Sequence, residues 1–160
     1  MIVIGYQGIG KSTLAGRDNK FIDLESGNFW VDGKRADDWY KPYCQIAEHL
    51  SQQGYIVFTS SHEVVRKQLE GSSEVIAVVY PSIKLKDEWI AKLEARYRES
   101  GLEKDYKALM NAKDRYEENI RELGEYGHDH QVHRLVLTEM KYDLEAALIH
   151  FKNDMDGLLK

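Results

Sequence analysis

The feature that most constrains the fold of this chain is a glycine-rich segment that directly follows the apolar residues 1–4. The segment reads Gly5-Tyr6-Gln7-Gly8-Ile9-Gly10-Lys11-Ser12-Thr13. Glycine accepts positive backbone dihedrals, so successive amide hydrogens of such a segment can point into one concavity and hold phosphate oxygens. A helix that begins near Lys11 would add the positive end of its dipole. The pattern therefore predicts a strand, a phosphate-binding loop and a helix, in that order.

The side chains of this loop favour a nucleoside triphosphate and a magnesium ion as ligands. Lys11 is expected to reach the terminal phosphates as a mobile point charge, and the Ser12 hydroxyl is expected to ligate Mg²⁺. The other expected contacts to the nucleotide come from Gly5, Gln7, Gly8, Ile9, Gly10 and Thr13. The alternative is a glycine-rich turn in which the Lys-Ser pair is a coincidence.

Five short apolar runs, each followed by a turn signal or a helical pattern, predict parallel strands joined by helices. The runs cover residues 1–4, 21–23, 55–59, 75–80 and 134–137. Apolar residues at helical spacing predict helices near 39–50, 64–69, 89–97, 109–123 and 142–151. The glycines expected to end the first four of these helices are Gly54, Gly71, Gly101 and Gly124. The helix after the glycine-rich loop has only residues 11–19 available, so it is expected to be unusually short.

Length and composition fit one compact domain over residues 1–160, and the five runs predict an α/β three-layer sandwich with a five-stranded parallel sheet. The net charge is −5 with both signs interspersed, which argues against a nucleic-acid groove. No apolar run approaches the roughly 20 residues that span a bilayer, and Met1 begins the first run without a charged leader. The single cysteine, Cys44, suits a reducing compartment. We expect a cytoplasmic monomer or homodimer that binds neither nucleic acid nor a membrane.

The loop and the order of elements resemble the small P-loop kinases of the adenylate-kinase-like group, which includes nucleoside monophosphate, shikimate and gluconate kinases. The resemblance covers nearly the whole chain, although only the loop is a specific motif. It implies a P-loop NTPase fold with a short helical lid, here at about 84–124. It also implies ATP and Mg²⁺ as cofactors, and transfer of the γ-phosphoryl group to a small-molecule acceptor.

The resemblance implies roles for polar residues after the second and third strands. In Phe21-Ile22-Asp23-Leu24-Glu25-Ser26, Asp23 would help hold Mg²⁺ through water, and Glu25 would face the acceptor, where it could act as the base that takes the proton. The alternative is that both acids only cap the strand end. The substrate candidates after the third strand are Ser60, Ser61 and Arg66. Arg66 could equally be a solvated helix charge, and this turn lacks the glycines of shikimate kinases and the Asp-Arg pair of nucleotide kinases.

The resemblance places a basic lid after the fourth strand, where a guanidinium would cover the transferring phosphoryl group. The candidates are Lys92, Arg96 and Arg98, of which Arg96 and Arg98 are preferred as catalytic, with Arg115 and Arg121 in the next helix. Each of them alone could be a solvated surface charge. Residues 138–141 occupy the place where the group surrounds adenine.

Two other clusters have competing interpretations. His128, Asp129, His130 and His133 look like metal ligands, but a solvated polar loop is the preferred interpretation. The aromatic residues after the second strand could stack on a base or belong to the core, and core is preferred: Phe29, Trp30 and Trp39.

Three functions follow from these observations. The first is transfer from ATP to a nucleoside or deoxynucleoside monophosphate. The second is transfer to a hydroxyl of a small metabolite, as in gluconate or shikimate kinases. The third is a regulatory module that binds nucleotide without efficient transfer, which the short first helix favours.

Overall fold

A computed structural model describes residues 1–32, 34–130 and 132–158 of the chain. The strands are β1 (Ile2–Gly5), β2 (Phe21–Asp23), β3 (Trp30–Val31), β4 (Lys34–Arg35), β5 (Ile56–Thr59), β6 (Ile76–Pro81) and β7 (His133–Leu137). The α-helices are α1 (Lys11–Arg17), α2 (Tyr40–Gln52), α3 (Glu63–Leu69), α4 (Lys86–Ser100), α5 (Glu103–Asp129) and α6 (Leu144–Leu158). Short 3₁₀ helices cover Ser26–Phe29 and Ile83–Leu85. In this part of the chain, no helix is both long enough and apolar enough to cross a membrane.

Five strands form one parallel sheet in the order β2-β5-β1-β6-β7. Every residue of β1, β5 and β6 is buried. Because successive side chains of a strand point to opposite faces, both faces of the central sheet must be covered. The predicted α/β fold with a five-stranded parallel sheet is confirmed, with strand bounds within one residue of the five apolar runs, and the burial is compatible with three layers.

The strand order creates a crevice at the carboxyl end of β1. This strand lies between β5 and β6, and the chain leaves it towards β2 on one side but later enters β6 on the other. At such a reversal the loops after neighbouring strands separate and leave space for a ligand. The glycine-rich loop follows β1 and therefore opens at this point.

The first helix, α1, has seven residues, which confirms the expected short crossover. Gly10 precedes it in the left-handed conformation, and Leu14 is its buried residue. The helix therefore contributes its first turn to the loop and little to the core.

The prediction that Gly124 ends a helix is wrong, because α5 continues through Gly124 and Gly127 to Asp129. A Cβ atom on Gly124 would lie 3.2 Å from the Tyr80 hydroxyl, and one on Gly127 would overlap the Arg134 side chain. Both glycines thus allow the helix to approach β6 and β7 closely. Consequently His128 and Asp129 lie in the last turn of α5 and not in a polar loop.

The region predicted as a short lid, 84–124, is two long helices that pack into the core. The core residues of these helices are Trp89, Leu93, Leu109, Ala112, Tyr116, Ile120 and Leu123. The backbone of α5 is kinked at Arg115, which has φ −137° and ψ 21°. The two halves of α5 therefore run in different directions on either side of this residue.

A two-stranded hairpin, β3 with β4, was not predicted from the sequence. Asp32 follows β3 with φ 53°, a value typical of the first position of a tight hairpin turn. The Asp-Gly dipeptide at 32–33 is the sequence signal for such a turn. This hairpin carries Trp30 and Arg35 to the crevice beside β1.

Candidate functional site

The glycine-rich loop between β1 and α1 has a backbone that only glycine readily adopts at two positions. Gly8 has φ 88° and Gly10 has φ 107°, both in the left-handed region. A Cβ atom on Gly8 would also lie 2.9 Å from Leu93 Cδ2 and 3.1 Å from Trp89 Nε1. Gly8 is thus required by its conformation and by the close packing of α4 against it.

Replacement of this glycine should weaken the fold measurably. We expect Gly8→Ala to lower the free energy of unfolding by about 1–3 kcal/mol, because alanine is strained at this φ and its methyl group would displace α4. Gly16→Ala is the matched control, since the Cβ position of Gly16 in α1 is open. That change should be neutral or stabilise by up to about 1 kcal/mol. Urea unfolding measures both, and equal stability of Gly8→Ala and wild type would contradict the packing argument.

Three neighbouring segments hold the loop in place through its backbone and the Gln7 side chain. Trp89 Nε1 of α4 donates to the Gln7 carbonyl at 2.9 Å, and the Tyr142 hydroxyl donates to the Ile9 carbonyl at 2.8 Å. Gln7 Nε2 in turn donates to the Ala108 carbonyl of α5 at 2.9 Å. The loop is therefore preorganised by tertiary contacts before any ligand binds.

Lys11, Asp23 and Glu25 form a group of interacting charges at the carboxyl ends of β1 and β2. Lys11 Nζ donates to the Gly5 carbonyl at 3.0 Å. Burial lowers the pKa of Lys11, and the carboxylates of Asp23 and Glu25 oppose that shift. Burial raises the pKa of Asp23; the Lys11 charge opposes this shift, and Glu25 adds to it. The structure thus brings together the three charged residues that the sequence proposed for one site.

Two cavities lie on opposite sides of the loop. The first, of about 780 Å³, is lined by Gly8, Ile9, Gly10, Ser12, Thr13, Arg96, Tyr142 and Asp143 among others. The second, of about 820 Å³, is lined by Gly5, Gln7, Lys11, Glu25, Ser60, Ser61 and Arg66 among others. Each volume is in the range of small-molecule sites. Lys11 and Gln7 border the second cavity, whereas Ser12 and Thr13 border the first, so the loop separates two spaces of nucleotide size.

The second cavity has one wall fixed by a buried tyrosine of α2. The Tyr43 hydroxyl donates to the Leu24 carbonyl at 2.6 Å and accepts from the Ser60 amide at 2.9 Å. It therefore sets the separation of the segments that follow β2 and β5. Glu25 lies on the first of these segments, and Lys104 Nζ of α5 is 3.6 Å from its Oε1.

The histidine next to the two serines is held in a neutral state. His62 Nδ1 lies 2.8 Å from Ser60 Oγ, and its ring packs against the edge of Trp39. Partial burial of the ring lowers the pKa of His62 to about 4, and the charges of Arg35, Lys11 and Arg66 act in the same direction, although part of the residue stays exposed to solvent. At neutral pH the ring is therefore uncharged and can exchange hydrogen bonds with Ser60 or with a ligand.

The Arg66 side chain lies in the cavity wall and not in solvent, since it is only 11% exposed. Its Nε donates to the Ser61 carbonyl at 3.1 Å, and its Nη2 is 3.4 Å from Glu122 Oε2. Arg115 Nη2 is 3.3 Å from the other oxygen of Glu122. Arg66 and Arg115, which come from different helices, therefore face one cavity with a carboxylate between them.

The two arginines preferred for the lid have different surroundings. Arg96 borders the first cavity, its Nε is 3.0 Å from Asp105 Oδ1, and its charge helps to lower the pKa of Lys11. Arg98 is paired with Glu94 at 3.0 Å, and its side chain is 76% exposed. The structure brings Arg96 to the loop and leaves Arg98 on the outer face of α4.

The other lid candidates are similarly divided. Lys92 Nζ lies 4.4 Å from the Trp89 ring centre and 5.2 Å from that of Tyr142, at the edge of the first cavity. Arg115 lines the second cavity, and Arg121 is exposed on α5. Of the lid candidates, Lys92 and Arg96 of α4 thus border the first cavity, and Arg115 at the kink of α5 lines the second.

Sequence reasoning missed several residues of the second cavity. They are Arg35, His62, Lys104, Lys107, Asn111 and Asn119. Lys107 Nζ lies 4.4 Å above the ring of Trp30, which is exposed in the cavity, whereas Trp39 is part of the core. The core interpretation is therefore right for Trp39 and wrong for Trp30. In the sequence, only the Asp-Gly dipeptide of the hairpin turn indicated that Trp30 and Arg35 would lie close together at the second cavity.

The histidines near the end of α5 have separate neighbours. These are Asp129 for His128, Glu70 for His130 and the Phe151 ring for His133. Among the residues that the structure describes, no three His, Cys, Asp or Glu side chains group as metal ligands.

Comparison of the chain with protein-family models and with curated proteins found no match in either set. A functional assignment therefore depends on the loop, the two cavities and the charges between them. Six cations and four carboxylates line the second cavity, and three cations and two carboxylates line the first, so basic side chains outnumber acidic ones in both.

Proposed function

We propose that this protein is an ATP-dependent phosphotransferase that moves the γ-phosphoryl group of ATP to a nucleoside or deoxynucleoside monophosphate. The observation that carries this proposal is the position of the preorganised loop and Lys11 between two cavities of nucleotide size. A kinase needs two ligands whose reacting atoms meet at one place. Both cavities border the same loop, so ligands bound in the two spaces could bring their reacting atoms together at its edge.

The residues of the loop fit the triphosphate of a donor in the first cavity. Gly10 leaves room for an approaching ligand, because even a Cβ atom there would lie 4.0 Å from its nearest neighbour, Leu144 Cδ2. Ser12 and Thr13 are exposed at the start of α1. Ser12 and Asp23 are the residues that would hold Mg²⁺, directly and through water respectively. The ion would supply positive charge at the phosphate oxygens. Tyr142 and Asp143, which line the first cavity directly after residues 138–141, would then border the base of the donor.

The acceptor would occupy the second cavity. Glu25 faces this space and is held by Lys104, so its carboxylate can orient the attacking oxygen of a monophosphate. Lys11 neutralises charge on the group in transfer. Six cations and four carboxylates line this cavity, and the excess of two positive charges matches the two negative charges of a phosphate monoester.

Arg96 is the proposed cover for the transferring phosphoryl group. Asp105, only 6% exposed, accepts from Arg96 Nε and leaves the two terminal nitrogens of the guanidinium free for phosphate oxygens. Ser100 Oγ also donates to Asp105, so the carboxylate is fixed from two sides. Asp105 would thus position Arg96 without touching substrate.

We expect Asp105→Asn to reduce kcat by about 10-fold to 100-fold while the KM for ATP changes little, because displaced catalytic groups lose rate more than binding. Steady-state kinetics measures both constants. Glu94→Gln is the matched control, since Glu94 holds the exposed Arg98 in the same way. Equal kcat losses in the two variants would contradict a role for Asp105 in positioning Arg96.

The size and lining of the second cavity favour a nucleoside monophosphate as the acceptor. A volume of about 820 Å³ exceeds what a sugar acid fills, and Trp30 offers an aromatic surface for a base. Ser60 and Ser61 keep a hydroxyl acceptor as the alternative, although Ser60 Oγ already contacts His62.

Release of ADP from ATP and Mg²⁺ in the presence of an acceptor panel tests the proposal. The panel contains the common ribo- and deoxyribonucleoside monophosphates, gluconate and shikimate. Stimulation by a monophosphate is the expected result. Stimulation by gluconate or shikimate alone would contradict the acceptor class, and tight ATP binding without stimulation by any acceptor would favour a regulatory module.

A further inference from the structure

One carboxylate of the second cavity, that of Glu122, lies between two guanidinium groups. Arg66 Nη2 of α3 is 3.4 Å from Glu122 Oε2, and Arg115 Nη2 of α5 is 3.3 Å from Glu122 Oε1. All three side chains line the cavity. The two oxygens of one anion therefore join two cations that come from different helices.

Within the described residues, the other three carboxylates that line the cavity each pair with one lysine. These pairs are Glu25 with Lys104 at 3.6 Å, Glu103 with Lys107 at 3.4 Å and Glu63 with Lys67 at 2.9 Å. A lysine is a flexible point charge, whereas a guanidinium presents several N–H groups in a fixed plane. The place of Glu122 is thus the one where two planar cations already converge on a single anion.

The Arg66 guanidinium is held in the cavity wall independently of Glu122. Its side chain is 11% exposed, and its Nε donates to the Ser61 carbonyl at 3.1 Å. The Tyr126 ring centre lies 5.8 Å from Arg66 Cζ, and the Tyr126 hydroxyl donates to the Arg66 carbonyl at 2.9 Å. Arg66 would therefore keep its place if Glu122 moved away. Because a nearly buried cation without an anion is costly, the vacated place would favour another anion.

The Glu122 carboxylate is held less firmly than Arg66. It is 45% exposed, and both of its contacts are longer than the about 2.7–2.9 Å of strong charge-assisted hydrogen bonds. In contrast, Asp105 is only 6% exposed, lies 3.0 Å from Arg96 Nε and also accepts from Ser100 Oγ. An exposed ion pair contributes little to stability, so a ligand can replace it at small cost. Glu122 is thus suited to exchange.

A phosphate monoester is the ligand that fits this place. Its terminal oxygens can accept from both guanidiniums as the carboxylate does, and it carries close to two negative charges where Glu122 carries one. A carboxylate ligand, such as a sugar acid, would only exchange one single charge for another. The cations of the cavity outnumber its four carboxylates by two, and rotation of Glu122 into solvent would raise this excess to three. These cations are Lys11, Arg35, Arg66, Lys104, Lys107 and Arg115.

We propose that Glu122 occupies the phosphate subsite of the empty second cavity and that the phosphate of the acceptor displaces it to bind Arg66 and Arg115, an inference that rests on the proposed kinase function. Glu122 thus competes with the acceptor and lowers its affinity. Removal of its charge, with both arginines kept, should strengthen phosphate binding. A carboxylate that merely held the arginines in place would give the opposite result, because its removal would weaken binding.

Calorimetric binding of inorganic phosphate, without ATP, tests the competition. Glu122→Gln keeps the shape of the side chain and should bind phosphate about 3-fold to 10-fold more tightly than wild type, because the competing charge is gone. Glu118→Gln is the matched control, since Glu118 pairs with Arg115 Nε at 3.0 Å but lies outside the cavity lining. Its affinity should stay within about twofold of wild type, and equal melting temperatures would show that both variants fold.

A second substitution locates the bound phosphate. Arg115→Gln should weaken phosphate binding by about 3-fold to 10-fold, and in the Glu122→Gln background it should abolish the gain, because the two residues act at one place. Phosphate bound only at the glycine-rich loop would be insensitive to both changes and would overturn the inference. Equal or weaker binding by Glu122→Gln alone would also overturn it.

Steady-state kinetics with nucleoside monophosphates separates this inference from the kinase function. The KM of the monophosphate that the protein phosphorylates should fall in Glu122→Gln, with little change in kcat. Phosphorylation with an unchanged or raised KM would leave the kinase function standing and overturn the role of Glu122. If no monophosphate accepts phosphate from ATP, the kinase function fails, and binding of inorganic phosphate by the same variants still decides the subsite.

Discussion

Lys11→Met should reduce the rate of ATP-dependent transfer by about 100-fold to 1000-fold, the loss typical when a preorganised charge at a reacting oxygen is removed. The Nζ of Lys11 is held at the Gly5 carbonyl, 3.0 Å away, and faces the carboxylates of Asp23 and Glu25. In the variant these carboxylates would lack the cation that separates them from phosphate oxygens. Initial rates of ADP release, together with calorimetric affinity for ATP, measure the effect.

Position 11 should require a lysine, and a positive charge of another shape should not be sufficient. A Cβ atom on Gly5 would lie 3.0 Å from Lys11 Cδ, so the aliphatic part of the side chain packs closely against the loop. Lys11→Arg should therefore remain strongly impaired, because the planar guanidinium is larger than an ammonium. Lys20→Met, at an exposed position before β2, is the control and should keep the wild-type rate. Activity of Lys11→Met within about twofold of wild type would refute the role of the loop.

Asp23→Asn should raise the Mg²⁺ concentration needed for half-maximal rate by about 10-fold to 100-fold, because residues that hold a metal through water typically contribute that much to its affinity. The substitution preserves shape and removes the charge that interacts with Lys11 and Glu25. The rate of transfer should recover when the Mg²⁺ concentration is raised, which a merely structural defect would not show.

Two comparisons separate this effect from others near the site. Asp37→Asn changes an exposed aspartate outside the crevice and should leave the Mg²⁺ dependence unaltered. Glu25→Gln should instead act on the acceptor constants, since Glu25 borders the second cavity. An Asp23→Asn variant with the Mg²⁺ dependence of wild type would exclude Asp23 as the metal partner.

The central sheet and the loop could be predicted because their signals are local and strong. Apolar runs between turns mark buried parallel strands, and the glycines of the loop are required at Gly8 and Gly10 by backbone conformation. The short α1 followed from simple counting of residues between two runs. These features need no knowledge of distant contacts.

The errors arose where tertiary contacts override a local signal. Gly124 looks like the end of a helix, yet it allows α5 to pack against Tyr80. Trp30 looks like a core aromatic residue, yet a hairpin carries it to the second cavity, where Lys107 covers its ring. In both cases the contacting residue, Tyr80 for Gly124 and Lys107 for Trp30, is far away in the sequence.

The second cavity was the least predictable part of the candidate site. From the sequence alone, Lys104, Lys107 and Asn111 are typical of solvated residues on a charged helix. They line the second cavity because the start of α5 lies against the loop, where Ala108 and Asn111 bind Gln7. Arg96 and Arg98 were equivalent in the sequence, and the pairing of Arg96 with the buried Asp105 distinguishes them.

The most direct measurement of the central claim identifies the products of a reaction that contains ATP, Mg²⁺ and a pool of nucleoside monophosphates. Mass spectrometry can count ADP, inorganic phosphate and each nucleoside diphosphate formed. The proposed kinase function predicts one nucleoside diphosphate derived from the pool for each ADP from the donor, and none with Lys11→Met. Formation of inorganic phosphate in place of a nucleoside diphosphate, or no ADP at all, would contradict it.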